Sequence, residues 1–288
     1  MKSQHLKRRQ VKLTKHIGFC FGVRRAVDIA RRLTLKKQRV YCLGPLIHNP
    51  QVVRELSKRG LKVIDNLDAI KEGLLLIRSH GASPGVIGRA KKKKIRIIDA
   101  TCPFVKRLHN KAKSLEKSGY KIVIVGDAGH PEIEALRGAI KDILVVSGAG
   151  ALNKLSLKGK RVALLAQTTQ SRANFKAVGA RISKIKPKKL CVFDTICRDG
   201  ANRQTEALKL AHTVDTMIVL GGRNSANTKR LAAICKKVCS DTYHIETEKE
   251  LKPQWLLKKR IIGIASGAST PDWVIKGVLR KINYEGRE

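Results

Sequence analysis

Three cysteines occupy matching positions in the sequence and could together bind a metal ion or a metal cluster. Cys20, Cys102 and Cys197 are 82 and 95 residues apart. Cys102 follows an apolar run and precedes a helical pattern, which predicts that it lies near a helix N-terminus. Such a position favours the thiolate, the form of cysteine that metals bind. The other two cysteines lie in similar turn-like segments.

The residues that follow these cysteines repeat at fixed offsets, which indicates internal repeats. Each third has a strand-like apolar run that ends in a glycine 24 residues after the cysteine: Gly44, Gly126 and Gly221. Polar side chains follow four residues later: His48, His130 and Ser225. A second polar loop follows a later apolar run in each third: residues 79–83, 167–171 and 266–269.

These repeats predict an α/β protein of three similar modules with small parallel sheets. Apolar residues 10 and 13 positions after each cysteine fit one face of a helix, and strands alternate with such helices. We expect the modules at residues 11–101, 102–196 and 197–288. Ligands of open α/β sheets bind outside the carboxyl ends of the strands, where these loops lie. Threefold packing would bring the loops to one central point.

Three converging thiolates suit zinc or an iron–sulfur cluster. Structural zinc sites usually have closely spaced ligand pairs, whereas these cysteines lie far apart in the sequence. A 4Fe–4S cluster normally has four cysteine ligands, so three would leave one iron open. An open iron can bind a substrate oxygen as a Lewis acid while the cluster supplies electrons.

The polar loops supply groups that suit an anionic ligand such as a diphosphate. Several of them lie where strands give way to helix N-termini, which also favour phosphate. The candidate binding residues are His48, His80, His130, Thr168, Thr169, Ser225, Asn227 and Ser269. Glu132 lies two residues after His130 and is the candidate proton source, directly or through a hydroxyl.

The chain is strongly basic, with 61 Lys and Arg against 22 Asp and Glu, a formal net charge of +39. Such a field attracts anions, and an alternative function is therefore a basic nucleic-acid-binding protein with a structural metal site. Aromatic residues make up only 4% of the chain, which argues against a stacking platform for single strands. An unspecific basic surface is equally compatible with charge spread along the whole chain.

The apolar runs and the remaining cysteines of the sequence bear on the compartment of the protein. No apolar run approaches the ~20 residues of a membrane helix, and no signal-peptide pattern opens the chain. Seven cysteines without close pairing favour a reduced, cytoplasmic protein. Cys42 and Cys191 are interpreted as core residues, and Cys235 and Cys239, one helical turn apart, as a weak metal candidate. The remaining histidines are interpreted as surface or satisfied residues: His5, His16, His109, His212 and His244.

Several segments together resemble the 4-hydroxy-3-methylbut-2-enyl diphosphate reductase family (LytB/IspH). The resemblance extends from about Val11 to the last predicted helix. The segments are GFCFGVRRAV (18–27), LGPLIHNP (43–50), SHGAS (79–83), DATCPFVK (99–106), DAGHPE (127–132), QTT (167–169), DTIC (194–197), NRQ (202–204) and GASTPD (267–272).

This resemblance implies a pseudo-threefold trefoil of α/β domains around a central iron–sulfur cluster, 4Fe–4S in its active form. It implies reductive removal of the substrate hydroxyl, giving isopentenyl and dimethylallyl diphosphates, the last step of the methylerythritol phosphate pathway. Cys20, Cys102 and Cys197 match the cluster ligands, and Glu132 matches the proton-relay acid. The diphosphate-binding positions are matched by His48, His80, His130, Thr168, Ser225, Asn227 and Ser269.

Two further expectations follow from the resemblance. Ala226 stands where many relatives have a second serine, so that only a backbone N–H is expected to contact the diphosphate there. A reductase also needs an electron donor, and small carriers such as ferredoxin or flavodoxin are acidic. The basic charge of this chain therefore favours such a partner, with nucleic acid unlikely and no membrane contact expected.

Overall fold

Three four-stranded parallel sheets form the framework of the protein in this computed structural model, which describes residues 9–36, 38–152 and 157–284. The strands are β1 (Gln10–Leu13), β2 (Val40–Leu43), β3 (Leu61–Ile64), β4 (Leu74–Ile77), β5 (Arg96–Asp99), β6 (Lys121–Val125), β7 (Ile143–Val146), β8 (Arg161–Ala166), β9 (Lys189–Val192), β10 (Thr216–Leu220), β11 (Thr242–Ile245) and β12 (Ile261–Ser266). The helices are α1 (Phe21–Leu35), α2 (Pro50–Lys58), α3 (Pro84–Lys92), α4 (Pro103–Lys117), α5 (Pro131–Arg137), α6 (Arg172–Lys184), α7 (Arg198–Ala211), α8 (Ala226–Lys236) and α9 (Asp272–Tyr284). The prediction of an α/β protein with three small parallel sheets is confirmed.

The chain divides into two compact units. The middle unit comprises Phe21–Ile47 and Val53–Cys197, and the terminal unit comprises Met1–Cys20, His48–Val52 and Arg198–Glu288. Both units are built from separate segments of the chain. Among the described residues, no helix is long and apolar enough to cross a membrane.

The middle unit contains two of the sheets, with the strand orders β3-β2-β4-β5 and β7-β6-β8-β9. Their inner strands are mostly apolar and buried, and β4 (Leu74–Ile77) is a continuous aliphatic run that is buried throughout. This composition is typical of parallel strands that are covered on both faces. Helix α4 buries Leu108, Ala112 and Leu115 against Ile122 and its neighbours in one of these cores. The burial of aliphatic side chains therefore holds in place the strands that carry the polar loops at their carboxyl ends.

The terminal unit contains the third sheet, with the strand order β1-β12-β10-β11. Strand β1, at the start of the predicted first module, pairs with β12 in the register Gln10 to Ile261. It occupies the edge position that β5 and β9 occupy in the other two sheets. In all three cases the edge strand is followed by one of the three phased cysteines and then by a helix. The cysteine thus marks the point at which the chain leaves one sheet for the next.

Candidate functional site

Glu132 is a buried carboxylate held by one residue of a neighbouring loop. It lies in the first turn of α5, and its exposed fraction is 1%. The backbone N–H of Thr168 donates to Oε1 at 2.8 Å, and the Thr168 hydroxyl is 2.7 Å from Oε2. His130 caps the same helix by accepting a hydrogen bond from the Glu132 N–H at 3.2 Å. Glu132, Thr168 and His130, all predicted from the sequence, therefore lie together.

The environment of Glu132 shifts its pKa towards neutral pH. Burial disfavours the charged form and raises the pKa of Glu132 from 4.5 to about 7, although the two hydrogen bonds from Thr168 oppose this rise. A carboxyl with this pKa holds its proton near neutrality and can also release it. Enzymes tune acid–base groups to this range by burial.

His80 and His130 lie beside each other in the middle unit. Their ring centroids are 5.5 Å apart, and the rings meet edge to face at 84°. His80 follows β4 in a tight turn that is closed by Gly81, whose φ is +85°. This left-handed conformation is accessible to glycine at low cost. The two histidines, predicted from separate loops of the sequence, are thus brought together by the ends of β4 and β6.

Cys102 and Cys197 each attach by the backbone to one of the loops that carry predicted binding residues. The N–H of Cys102 donates to the carbonyl of Ser79 at 2.9 Å, and the N–H of Cys197 donates to the carbonyl of Thr168 at 2.8 Å. Cys102 is the N-cap residue of α4, as the sequence predicted. The polar loops therefore hold the backbone of both cysteines.

The electrostatics of Cys102 shows how close these groups are. Burial raises the pKa of its thiol, while the backbone N–H groups of Phe104 and Val105 at the start of α4 lower it. The negative charges of Cys197 and Glu132 also raise the pKa of Cys102, so both lie within electrostatic range of its sulfur. The middle unit thus collects two thiols and one carboxyl at the same place.

Gln167 is a positioning residue that the sequence analysis did not identify. It is fully buried, and its side-chain oxygen accepts a hydrogen bond from the N–H of Asp127 at 2.8 Å. Its side-chain N–H donates to the hydroxyl of Thr169 at 2.9 Å. Gln167 therefore ties the loop that precedes Glu132 to the predicted binding residue Thr169. The QTT segment contained it, but only the fold shows which way its amide points.

In the terminal unit, Cys20 is fixed to the loop that follows β12. Its N–H donates to the carbonyl of Ala268 at 3.0 Å, and the N–H of Gly18 donates to the hydroxyl of Ser266 at 2.8 Å. The hydroxyl of Ser269 donates to the carbonyl of His48 at 3.1 Å. Cys20, Ser269 and the backbone of His48 are consequently parts of one connected set of loops.

The N-terminus of α8 presents the remaining predicted residues. Ser225 is the N-cap residue and accepts a hydrogen bond from the N–H of Thr228 at 3.3 Å. Ala226 is the first residue of the helix, where backbone N–H groups lack helical acceptors. Within the described part of the chain, both polar atoms of the buried Asn227 amide have no hydrogen-bond partner. An unpaired buried amide is costly, so Asn227 is suited to receive a ligand.

Arg203 supports the cysteine loop of the terminal unit. Its side chain is 3% exposed and pairs with Asp199 at 2.7 Å. The same guanidinium donates to the carbonyls of His16 and Ser266, at 3.0 and 3.3 Å. It thereby joins the segment before Cys20 to the end of β12. The sequence analysis quoted Arg203 within the NRQ segment but gave it no role.

Comparisons with known proteins agree on one family. A family model described as LytB protein matches residues 11–283. The 4-hydroxy-3-methylbut-2-enyl diphosphate reductase of Pelobacter propionicus is 43% identical over 274 residues, which cover 95% of this chain and 97% of that protein. The protein of the same name from Geotalea daltonii is 45% identical over 271 residues, covering 94% and 95%.

A solved structure gives the same result for the fold. It is described as (E)-4-hydroxy-3-methyl-but-2-enyl diphosphate reductase, the terminal enzyme of the non-mevalonate pathway. It is 40% identical to this chain, covers 96% of this chain and 99% of its own, and has a TM-score of 0.72.

Proposed function

Because the chain belongs to the LytB family, whose members are iron–sulfur reductases, we propose that it is a reductase of 4-hydroxy-3-methylbut-2-enyl diphosphate. The reaction breaks the C–O bond of the substrate hydroxyl, consumes two electrons and two protons, and releases water with isopentenyl and dimethylallyl diphosphates. It is the last step of the methylerythritol phosphate, or non-mevalonate, pathway. The observation that carries this proposal is the buried Glu132 carboxyl beside two cysteines and two histidines of the middle unit.

We propose that Cys20, Cys102 and Cys197 hold a 4Fe–4S cluster. The donor set of the middle unit fits such a group, because two thiols lie within electrostatic range and backbone N–H groups of α4 face the sulfur of Cys102. With three protein ligands, such a cluster would leave one iron open to substrate and would supply electrons one at a time. The backbone bonds of Cys102 and Cys197 hold the ligands in place before the cluster binds.

The substrate diphosphate is bound, in this proposal, by imidazole, hydroxyl, amide and backbone N–H donors. The start of α8 contributes its helix dipole and the backbone N–H of Ala226, in place of a second serine hydroxyl. The unpaired amide of Asn227 gains a partner when the anion arrives. The full set is His48, His80, His130, Thr168, Thr169, Ser225, Ala226, Asn227 and Ser269.

Glu132 is the proposed proton source, and the Thr168 hydroxyl is its relay. The two side chains are joined at 2.7 Å, which is a normal distance for proton transfer between oxygens. With a pKa of about 7, Glu132 is protonated in a large fraction of molecules at neutral pH. Burial also shields the proton from bulk water until Thr168 passes it to the substrate oxygen.

The electron donor in this proposal is a small acidic carrier such as a ferredoxin or flavodoxin, and the location is cytoplasmic. The charge of +39 supports a negatively charged partner. Nothing in the comparisons supports the alternative of a nucleic-acid-binding protein with a structural metal site.

Anaerobic turnover of the diphosphate substrate with a small chemical reductant tests the proposal. The protein should carry iron and sulfide, show the visible absorption of an iron–sulfur chromophore, and form both product diphosphates. A preparation that carries iron and sulfide but leaves the substrate unchanged would overturn the proposed reaction. Tight, salt-sensitive binding of duplex DNA by the same inactive preparation would favour the alternative instead.

A further inference from the structure

His109 contacts the backbone of the proposed acid, Glu132. It lies on α4, two turns after Cys102, and is half-buried. Burial lowers the pKa of His109, and a hydrogen bond between its imidazole and the backbone of Glu132 opposes this decrease. A bond that favours the protonated ring must be donated by the ring, so the acceptor is the carbonyl oxygen of Glu132. From the sequence alone, His109 is interpreted as a surface or satisfied histidine.

The state of the second ring nitrogen of His109 identifies which nitrogen donates the hydrogen bond to Glu132. Nε2 of His109 is buried and has no hydrogen-bond partner among the described residues, so Nδ1–H donates to the Glu132 carbonyl. Burial, the largest effect, lowers the pKa of His109, and the positive charge of Lys113 lowers it further. His109 is therefore neutral at physiological pH, with its proton on Nδ1.

The ring of His109 also fills the space beneath the turn that carries His80. A Cβ on Gly81 would lie 3.3 Å from Cε1 of His109, so the ring packs directly against this turn. Gly81 has a φ of +85° and no side chain, which leaves room for the ring. His109 consequently contacts both loops of the middle unit that bear the proposed catalytic and binding side chains.

We propose that His109 is a positioning residue that fixes the backbone of Glu132 and thereby the distance from its carboxyl to Thr168. The inference rests on the proposed role of Glu132 as the proton source. Removing the Nδ1–H takes away one hydrogen bond to the first turn of α5, a helix of only 7 residues. A misplaced proton donor slows the chemical step and leaves substrate binding almost unchanged.

Two isosteric substitutions separate positioning from simple packing. In His109→Asn the side-chain amide N–H falls near the position of Nδ1, whereas in His109→Gln it falls near that of Nε2. We expect kcat of His109→Gln to drop by about 10- to 100-fold with KM within about twofold, and His109→Asn to retain most of the activity. Equal activity of the two variants would overturn the inference.

A double-mutant cycle tests whether His109 acts through Glu132. In a Glu132→Gln background, His109→Gln should lower kcat by less than about twofold, because the acid it positions is already absent. Full additivity of the two effects would contradict the inference. Wild-type turnover in Glu132→Gln alone would instead refute the proposed role of Glu132, so that the two failures are distinguishable.

Amide hydrogen exchange gives a readout that does not depend on activity. The Thr168 N–H is protected by the Glu132 carboxyl, so it reports the position of that group. It should exchange faster in the folded His109→Gln holoenzyme than in wild type, and at nearly the wild-type rate in His109→Asn. Unchanged protection of Thr168 in His109→Gln would overturn the inference, whatever the turnover.

Discussion

Gly22, in the first turn of α1, packs its α-carbon directly against the sulfur of Cys102. A Cβ on Gly22 would lie closer than 3.0 Å to Sγ, a distance that real Cβ atoms essentially never show. Gly22 has no left-handed φ, so the reason for glycine here is space and not backbone conformation. The sulfur of Cys102 is thus placed by a residue that carries no functional group.

Gly22→Ala should therefore impair cluster binding without removing a ligand. Either the sulfur or α1 must shift, and overpacking of this kind costs about 1–3 kcal/mol. We expect less iron and sulfide per chain and a lower melting temperature. Gly88→Ala is the matched control, because Gly88 also lies in a helix and a Cβ there meets nothing within 4 Å. Equal cluster content in the two variants would contradict the prediction.

The ligand assignment can be tested with a second buried cysteine as the reference. Cys102→Ala should abolish the cluster, and Cys197→Ala and Cys20→Ala should do the same. Cys42 is fully buried in β2, and burial raises the pKa of its thiol to about 12, so it stays protonated and unreactive. Cys42→Ala should keep normal iron content and turnover. A cluster of unchanged iron content in Cys197→Ala would remove that residue from the ligand set.

Glu132→Gln tests the acid–base role, since glutamine keeps the size of the side chain but has no acidic proton. General acid catalysis contributes typically about 10²–10⁴-fold, and we expect a drop in kcat of that order with substrate binding largely retained. In the wild-type enzyme, kcat/KM should decline above about pH 7, as the free enzyme loses the proton of Glu132. Wild-type kinetics in the glutamine variant would leave Glu132 only the role of a helix-terminal residue.

Glu132→Gln is also predicted to change how the free energy of unfolding depends on pH. The folded pKa of Glu132 is about 7 against a model value of 4.5, so the folded protein binds the proton more tightly than the unfolded chain. The resulting stabilisation is present below about pH 4.5 and is lost as pH rises through about 7, with a total of about 3 kcal/mol.

Glu132→Gln should therefore gain stability relative to wild type as pH rises from about 5 to about 8. The midpoints of denaturant unfolding at several pH values measure this difference. Glu72→Gln serves as the control, because its carboxyl is 79% exposed. If the unfolding midpoints of wild type and Glu132→Gln change with pH in the same way, the carboxyl is not buried as described.

The repeated pattern of the sequence was sufficient to predict the sheets and the loops at their ends. Apolar runs such as those of β4 and β6 are fixed by burial, which depends on local composition, and the polar loops follow directly. The partner of β1 was not predictable in this way. Its pairing with β12 joins residues some 250 positions apart, and strand order is determined by tertiary packing and not by periodicity.

The supporting residues could not be predicted because their roles depend on orientation. Arg203 and His109 each direct a donor, and Gln167 directs an acceptor, at a backbone atom far away in the sequence. Gly22 likewise appears in the sequence as an ordinary helix glycine, and only its contact with Cys102 explains it. Residue type and spacing predict the groups proposed to do chemistry, whereas the groups that hold them can be identified only from three-dimensional contacts.

The net charge of +39 predicts that salt affects turnover differently with different electron donors. A field of this size should steer an acidic protein carrier to the enzyme and raise its association rate most at low ionic strength. The screening length falls from about 30 Å at 0.01 M to about 10 Å at 0.1 M salt, so carrier-dependent turnover should fall steeply over this range. Turnover with a small uncharged reductant should change little and is the control. Equal salt sensitivity with both donors would show that the charge acts on the anionic substrate. Turnover with the protein carrier that does not change with salt would show that the basic surface does not attract the carrier.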